Sequence, residues 1–427
     1  MKTTSHHATV SQTTLRSLIR PALTILSGLS LSLSVPALVA QTTHTWDGGG
    51  ADDNLNTANN WNDDVVPVAN DTLTWNGSEA GAITALVTGD IFGNSSSGLA
   101  GITVTSAQTS ALTLSSNSNN TRNLRMAAAG SFTIEAGAGA VTIGGGAFNM
   151  GFSIAGGGTS NFTFTNNSTN GATIGSVVTI SRGGSSGTRG LVFNGTGNWN
   201  VGATIAATLV TLNKSGSGAL TYSGTTAVTA LASGVNVTEG KLVVTGTLSN
   251  ASSAVSVSSG ATLAGTGTIN GATMLAGGSF LSAGMDDSTL GTLTFASTLG
   301  ATSGVTVSLN LNSMNATHDQ IVANGVTLGN ATLSLTDLGG TVLANGTSFT
   351  LVNNTSGGSI GGTFLGLDDG ATITVGANSY VLSYFGGTGN DITLTATAIP
   401  EPATAALLMG GVLVLLVTGR RVRKNAV

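Results

Sequence analysis

Short alternating runs closed by glycine constrain this chain more than any other feature. Val235-x-Val237-x-x-Gly240 and Val255-x-Val257-x-x-Gly260 repeat one pattern 20 residues apart. Alternation with a period of two predicts β-strands, and a repeat near 20 residues predicts a solenoid. The chain is therefore expected to stack strand-and-turn units along one axis.

Composition favours a parallel β-helix over a sandwich. The 427 residues include 63 Gly, and only 4% are aromatic and 7% charged. Val, Ile, Leu and Ala can stack inward from coil to coil while Thr and Ser form ladders outside, and Gly and Asn supply the corners. The predicted fold is all-β, a right-handed parallel β-helix with irregular coils over residues 81–209 and a core of small and β-branched side chains.

The chain lacks the residues that several kinds of chemistry require. The chain has no Cys, so disulfides, zinc fingers and thiol chemistry are excluded. Beyond His6 and His7 near the start, only His44 and His318 remain, and they are far apart in sequence. Six Lys/Arg against 17 Asp/Glu between Gln41 and Ile399 give this stretch a charge of −11. We expect no metal, no cofactor and no nucleic-acid partner.

The first 40 residues are typical of a signal peptide. Arg16 and Arg20 precede an uncharged apolar run, Ala22–Val39, that ends in small residues. Cleavage is predicted after Ala40, with cleavage after Ala37 or an uncleaved anchor as alternatives.

Residues 399–427 have three parts in a fixed order. Pro400-Glu401-Pro402 is followed by the uncharged run Ala403–Gly419, and then by the basic residues Arg420, Arg421, Arg423 and Lys424. Seventeen uncharged residues reach the lower limit for a membrane-spanning helix, and the basic tail is expected on the cytoplasmic side.

This arrangement resembles the PEP-CTERM sorting signal of Gram-negative bacteria. The resemblance implies that an exosortase, a membrane protease-transpeptidase, reads Pro400, Glu401 and Pro402 and removes the helix during export. It also implies a destination at the cell surface or in the extracellular matrix, with transient membrane anchoring.

Residues 210–398 resemble the autotransporter-associated β-strand repeat family. The stretch from Leu212 to Gly224 is similar to that family's Lys-x-Gly-x-Gly-x-Leu opening, and Asp319–Gly325 and Gly386–Leu394 are similar to later members. The resemblance implies a β-helical, surface-displayed stalk. The sorting-type end stands where that family has a β-barrel translocator, so we expect another export machine to carry the chain.

Three of the four Trp lie in residues 41–80, at Trp46, Trp61 and Trp75. A solenoid end needs a cap, and large aromatic side chains suit one. The alternative is that the three rings contact sugars of an exopolysaccharide.

Paired acids are the remaining candidates for catalysis: Asp52-Asp53, Asp63-Asp64, Asp286-Asp287 and Asp368-Asp369. Such pairs serve glycoside hydrolases, or bind calcium in polysaccharide lyases. Each pair adjoins Gly, Asn or Ser, so turn formation is the favoured interpretation. Gly386–Asp391 resembles part of the calcium-binding RTX nonapeptide, but a single copy favours a corner before the last strand.

The function expected from these observations is structural or adhesive and non-catalytic, at the cell surface or in the extracellular matrix. A carbohydrate-active lyase or hydrolase on the same fold is the alternative.

Overall fold

The computed structural model describes residues 41–397, apart from 91, 95, 119–121, 185, 186 and 228. These residues belong to one compact unit that begins at Gln41. Its described part contains 35 β-strands and one 3-10 turn, Ala58–Asn60. The all-β prediction is therefore confirmed.

The strands form three sheets. The first has 15 strands: Thr43–Thr45, Thr72–Trp75, Leu99–Val104, Arg122–Ile134, Met150–Ile154, Thr159–Asn166, Val178–Arg182, Thr188–Asn194, Thr204–Ile205, Thr211–Lys214, Val235–Val237, Val255–Val257, Thr273–Leu275, Leu299–Ala301 and Val326–Thr327. The second has 12: Ile83–Val87, Leu112–Ser116, Val141–Ile143, Ala172–Ile174, Trp199–Val201, Ala219–Tyr222, Lys241–Val244, Thr262–Gly265, Phe280–Ala283, Thr306–Asn312, Thr317–His318 and Thr332–Asp337. The third has eight: Thr247–Leu248, Thr268–Ile269, Thr292–Phe295, Gln320–Ala323, Ser348–Asn354, Thr372–Val375, Asn378–Gly386 and Asp391–Thr397.

Strands of successive coils pair in parallel, as in a β-helix-like solenoid. Val235 pairs with Val255, and Val237 with Val257. Leu242 pairs with Leu263 in the second sheet. The 20-residue repeat predicted from the sequence therefore corresponds to the pairing of equivalent residues in neighbouring coils.

Coil length changes along the chain. In the first sheet Thr43 pairs with Thr72, 29 positions later, whereas Val255 pairs with Thr273, 18 positions later. The near-20-residue period therefore describes the middle of the chain and not its beginning. Several longer coils carry extra side strands, such as Met150–Ile154 and Val178–Arg182.

The core is mainly aliphatic, but the prediction that only small and β-branched side chains fill it is wrong in the longer coils. Phe132, Phe164 and Phe193 occupy paired positions in three neighbouring strands. The rings of Phe164 and Phe193 are stacked, with centroids 5.0 Å apart, and Trp199 packs edge-on against both. Longer coils enclose a wider interior, so larger side chains fill it.

The last strands depart from the predicted parallel pattern. Asp391–Thr397 pairs antiparallel with both Ser348–Asn354 and Asn378–Gly386, and Thr372–Val375 completes this sheet edge. Phe349, Leu382 and Leu394 are buried on its inner side. An antiparallel sheet thus follows the parallel coils.

The described part of the chain contains no helical segment that could span a bilayer. The predicted signal peptide and the predicted C-terminal helix both lie outside the described residues.

Candidate interaction surface

The three N-terminal tryptophans form a buried cluster. Trp46, Trp61 and Trp75 are at most 1% exposed. Their ring centroids lie 5.2–6.0 Å apart. The indole nitrogen of Trp61 donates to the Leu55 carbonyl at 3.0 Å, and that of Trp46 donates to Glu79. With no ring face at the surface, the sugar-contact interpretation is wrong for this fold, and the arrangement fits a cap.

A buried histidine beside this cluster contacts two carboxylates. His44, 2% exposed, places Nδ1 3.0 Å from Oδ2 of Asp63 and Nε2 3.1 Å from Oδ2 of Asp71. Asp71 also accepts the backbone N–H groups of Thr42 and Val68. The arrangement ties three N-terminal segments together, and no motif or repeat in the sequence predicts it.

Two of the four acidic pairs have the predicted role in turns, whereas Asp63 contacts His44 and Asp369 accepts from Ser383. Asp52 accepts from Thr57 Oγ1 at 2.6 Å and from the Asn54 N–H at 3.1 Å, and these bonds lower its pKa. Hydrogen bonds from Ser288 and Thr289 lower the pKa of Asp286 to about 2. Stabilised in this way, both carboxylates stay ionised at neutral pH.

The RTX-like stretch is a corner before the last strand, as the sequence favoured. Asp391 accepts the N–H groups of Asn354 and Thr388. In the described part of the chain no group of three His, Asp or Glu is arranged to hold a metal ion.

Two cations point inward and bind corner carbonyls. Lys214 Nζ donates to the carbonyls of Ser215, Gly216 and Glu239, at 2.9, 2.6 and 3.2 Å. Burial lowers the pKa of Lys214 to about 8. Arg189, fully buried, donates to the Gly156 and Gly158 carbonyls. These contacts give the lysine of the Lys-x-Gly-x-Gly motif a structural role.

Rows of hydroxyl groups run along the outer faces of the first two sheets, as predicted. In the first sheet one row occupies five successive strands: Thr45, Thr74, Thr103, Thr133 and Thr165. The second sheet carries a matching row: Thr84, Thr113, Thr142 and Thr173, continued by Asn200 and Thr221. Neighbouring strands are about 4.8 Å apart, so each row is a periodic series of uncharged donors and acceptors.

An apolar cavity of about 630 Å³ interrupts the outer face of the first sheet further along. Met274 is 54% exposed there, and its thioether lies over Gly300. The lining residues include no acid or base, so this cavity offers no group for proton transfer.

The remaining predicted site residues lie outside the described residues. They are the cleavage residue Ala40, the motif Pro400, Glu401 and Pro402, and the basic tail Arg420, Arg421, Arg423 and Lys424. Comparison with known proteins found neither a family model nor a curated protein that matches this chain.

Proposed function

We propose that this chain is an exported, non-catalytic structural or adhesive protein of a cell surface or extracellular matrix. A signal peptide is removed after Ala40, and the coils form a right-handed β-helical stalk. An exosortase reads Pro400, Glu401 and Pro402, and the C-terminal helix anchors the protein in the membrane until that step.

The observation that carries the proposal is the pair of uncharged hydroxyl rows on a solenoid. Thr74, Thr103 and Thr133 are half-buried and occupy paired positions in neighbouring strands. Because they lie side by side, their hydroxyl groups form a continuous surface and not a cleft. Such a surface suits extended contact with a hydrated polymer, and exopolysaccharide is the proposed partner.

The distribution of acids supports a non-catalytic role. Asp52 and Asp286 are exposed and bonded to their own turns, more than 200 positions apart. A glycosidase needs two carboxylates facing one bond. The hydrogen bonds within their own turns give both acids a structural role that requires no substrate.

Sorting is tested by expressing the full chain in a host with and without an exosortase and measuring the intact mass of the surface fraction. We expect loss of the segment beyond the Pro400-Glu401-Pro402 motif only when the exosortase is present. A triple variant, Pro400→Ala, Glu401→Ala and Pro402→Ala, should keep the full tail in both hosts. A tail retained by the unmodified chain in both hosts would contradict sorting.

A further inference from the structure

Two adjoining cavities lie on one side of the C-terminal antiparallel sheet. One measures about 260 Å³ and the other about 350 Å³. Both lie between the loop 356–363 and the segment 384–390, and both are lined by Ser359. Together they form an open cleft, which we call the terminal cleft.

An aromatic ring stands exposed in the first half of the terminal cleft. Phe385 is 64% exposed, whereas nine of the other eleven Phe side chains of the described chain are buried. Its neighbour Tyr384 is held in place, because its hydroxyl donates to the Leu367 carbonyl at 2.7 Å and accepts the Phe364 N–H at 2.8 Å. The backbone that carries the Phe385 ring is therefore fixed.

A carboxylate lies beside this ring. Asp369 also lines the first cavity, and its Oδ1 accepts the Tyr384 N–H at 2.9 Å and the Ser383 hydroxyl at 3.1 Å. The side chain is exposed, so its oxygens can accept further hydrogen bonds from a bound molecule.

The second half of the terminal cleft is polar and preorganised. The side-chain amide of Asn390 donates to the carbonyls of Asn354, Ser356 and Gly358, at 3.1, 2.6 and 3.1 Å. Thr388 donates in turn to Oδ1 of Asn390 at 2.6 Å. These hydrogen bonds connect the segment 384–390 to the loop 356–363. The site therefore needs little reordering when a ligand binds.

Charge restricts the class of ligand. Residues 242–397 contain seven Asp and no Lys or Arg. An acidic polymer would approach Asp369 and the neighbouring Asp368 without a compensating cation, whereas a neutral one would meet acceptors for its hydroxyl groups.

We propose that the terminal cleft binds a neutral polysaccharide chain, with a sugar ring against Phe385 and sugar hydroxyls donating to Asp369. This inference rests on the proposed matrix function and names the partner's chemistry. The combination of one exposed aromatic face with a few fixed polar groups in a concave site is what such recognition requires.

Gly357 offers a way to block the cleft without disturbing the fold. A Cβ atom there would have no neighbour within 4 Å, and the residue lacks a left-handed φ. Gly357→Trp therefore adds a large side chain to the lining at no backbone cost. Phe385→Ala removes the ring by an independent route. Met314, 66% exposed and absent from both linings, supplies the matched controls Met314→Trp and Met314→Ala.

The test is native affinity electrophoresis of the full chain in detergent, in gels containing a soluble glucan, mannan or galactan, or polygalacturonate. We expect at least one neutral polymer to retard the protein. Gly357→Trp and Phe385→Ala should each weaken that retardation roughly tenfold, as expected for losing about 1.4 kcal/mol of contact, while both Met314 variants behave as wild type.

Three results would overturn the proposal: no retardation by any of the three neutral polymers, equal retardation of the wild type and both cleft variants, or preference for polygalacturonate. Exosortase-dependent loss of the tail is measured separately by mass. Sorting can therefore succeed while the cleft proposal fails, and the two failures are distinguishable.

Discussion

Nε2 of His44 lies 3.1 Å from Oδ2 of Asp71, and this buried contact joins the first strand to the start of the next coil. Asp71 also accepts two backbone N–H groups, so its removal leaves these two donors and the His44 ring nitrogen without their partner. We expect Asp71→Ala to lower the free energy of unfolding by about 1–3 kcal/mol. Urea denaturation followed by tryptophan fluorescence measures the change.

A double-mutant cycle with His44→Ala isolates the contact itself. The coupling energy between the two positions should be about 0.5–3 kcal/mol. Asp287→Ala, at an exposed carboxylate, is the control and should change stability by less than about 0.5 kcal/mol. Additive effects of the two cap substitutions would contradict a direct interaction.

The buried indole of Trp61 gives a second prediction for the cap. It contacts both other cluster rings and is 0% exposed, so Trp61→Ala should destabilise the protein by about 3–5 kcal/mol. Thermal unfolding followed by circular dichroism provides the measurement. Phe385→Ala, at a ring 64% exposed, should leave the midpoint nearly unchanged. Equal midpoints for the wild type and Trp61→Ala would be inconsistent with a buried cap.

Gly265 and Gly260 form a matched pair for testing the spacing of the coils. Both have a left-handed φ, but a Cβ at Gly265 would lie 1.9 Å from the Val244 carbonyl oxygen, whereas one at Gly260 has no neighbour within 4 Å. Gly260→Ala should cost only backbone strain, about 1 kcal/mol, and Gly265→Ala should cost considerably more. Chemical denaturation of the two variants compares them directly, and similar midpoints would argue against this register.

Asp319 makes stability depend on pH. Its two oxygens accept the N–H groups of Gly291 and Asn310, at 2.7 and 2.8 Å, and burial raises its pKa to about 6. A raised folded-state pKa means that its contribution is fully present below about pH 4 and is lost as the pH rises through 6. The loss should be about 3 kcal/mol.

Asp319→Asn removes this titration, so the stability difference between wild type and variant should change between pH 4 and 7. Burial lowers the pKa of the adjacent His318, which acts in the opposite direction, but His318 is present in both proteins and largely cancels. Parallel stability curves for the two proteins across that range would refute the prediction.

The pairing of Val235 with Val255 was predictable because it depends on local features. Alternation and a glycine corner recur at one spacing, and neighbouring copies of a solenoid stack in register. The outward Thr rows follow from the same alternation. The tryptophan-rich first segment was expected to cover one end of the solenoid, and its three tryptophan rings are buried.

Contacts that depend on coil length were not predictable. His44 meets Asp71 only because the first coil contains 29 residues, and no repeat in that region gives this length. The antiparallel arrangement of Asn378–Gly386 was missed for another reason: alternation looks the same in parallel and antiparallel strands. The terminal cleft arises from that arrangement, so it was missed as well.

The position of the last described strand has a mechanical consequence. Asp391–Thr397 lies between two antiparallel neighbours and is hydrogen-bonded on both sides. A pull on Thr397 along the strand axis therefore loads both rows of hydrogen bonds at once, in shear, whereas a pull across the sheet would break them one after another. A chain held at this point would resist tension best along that one direction.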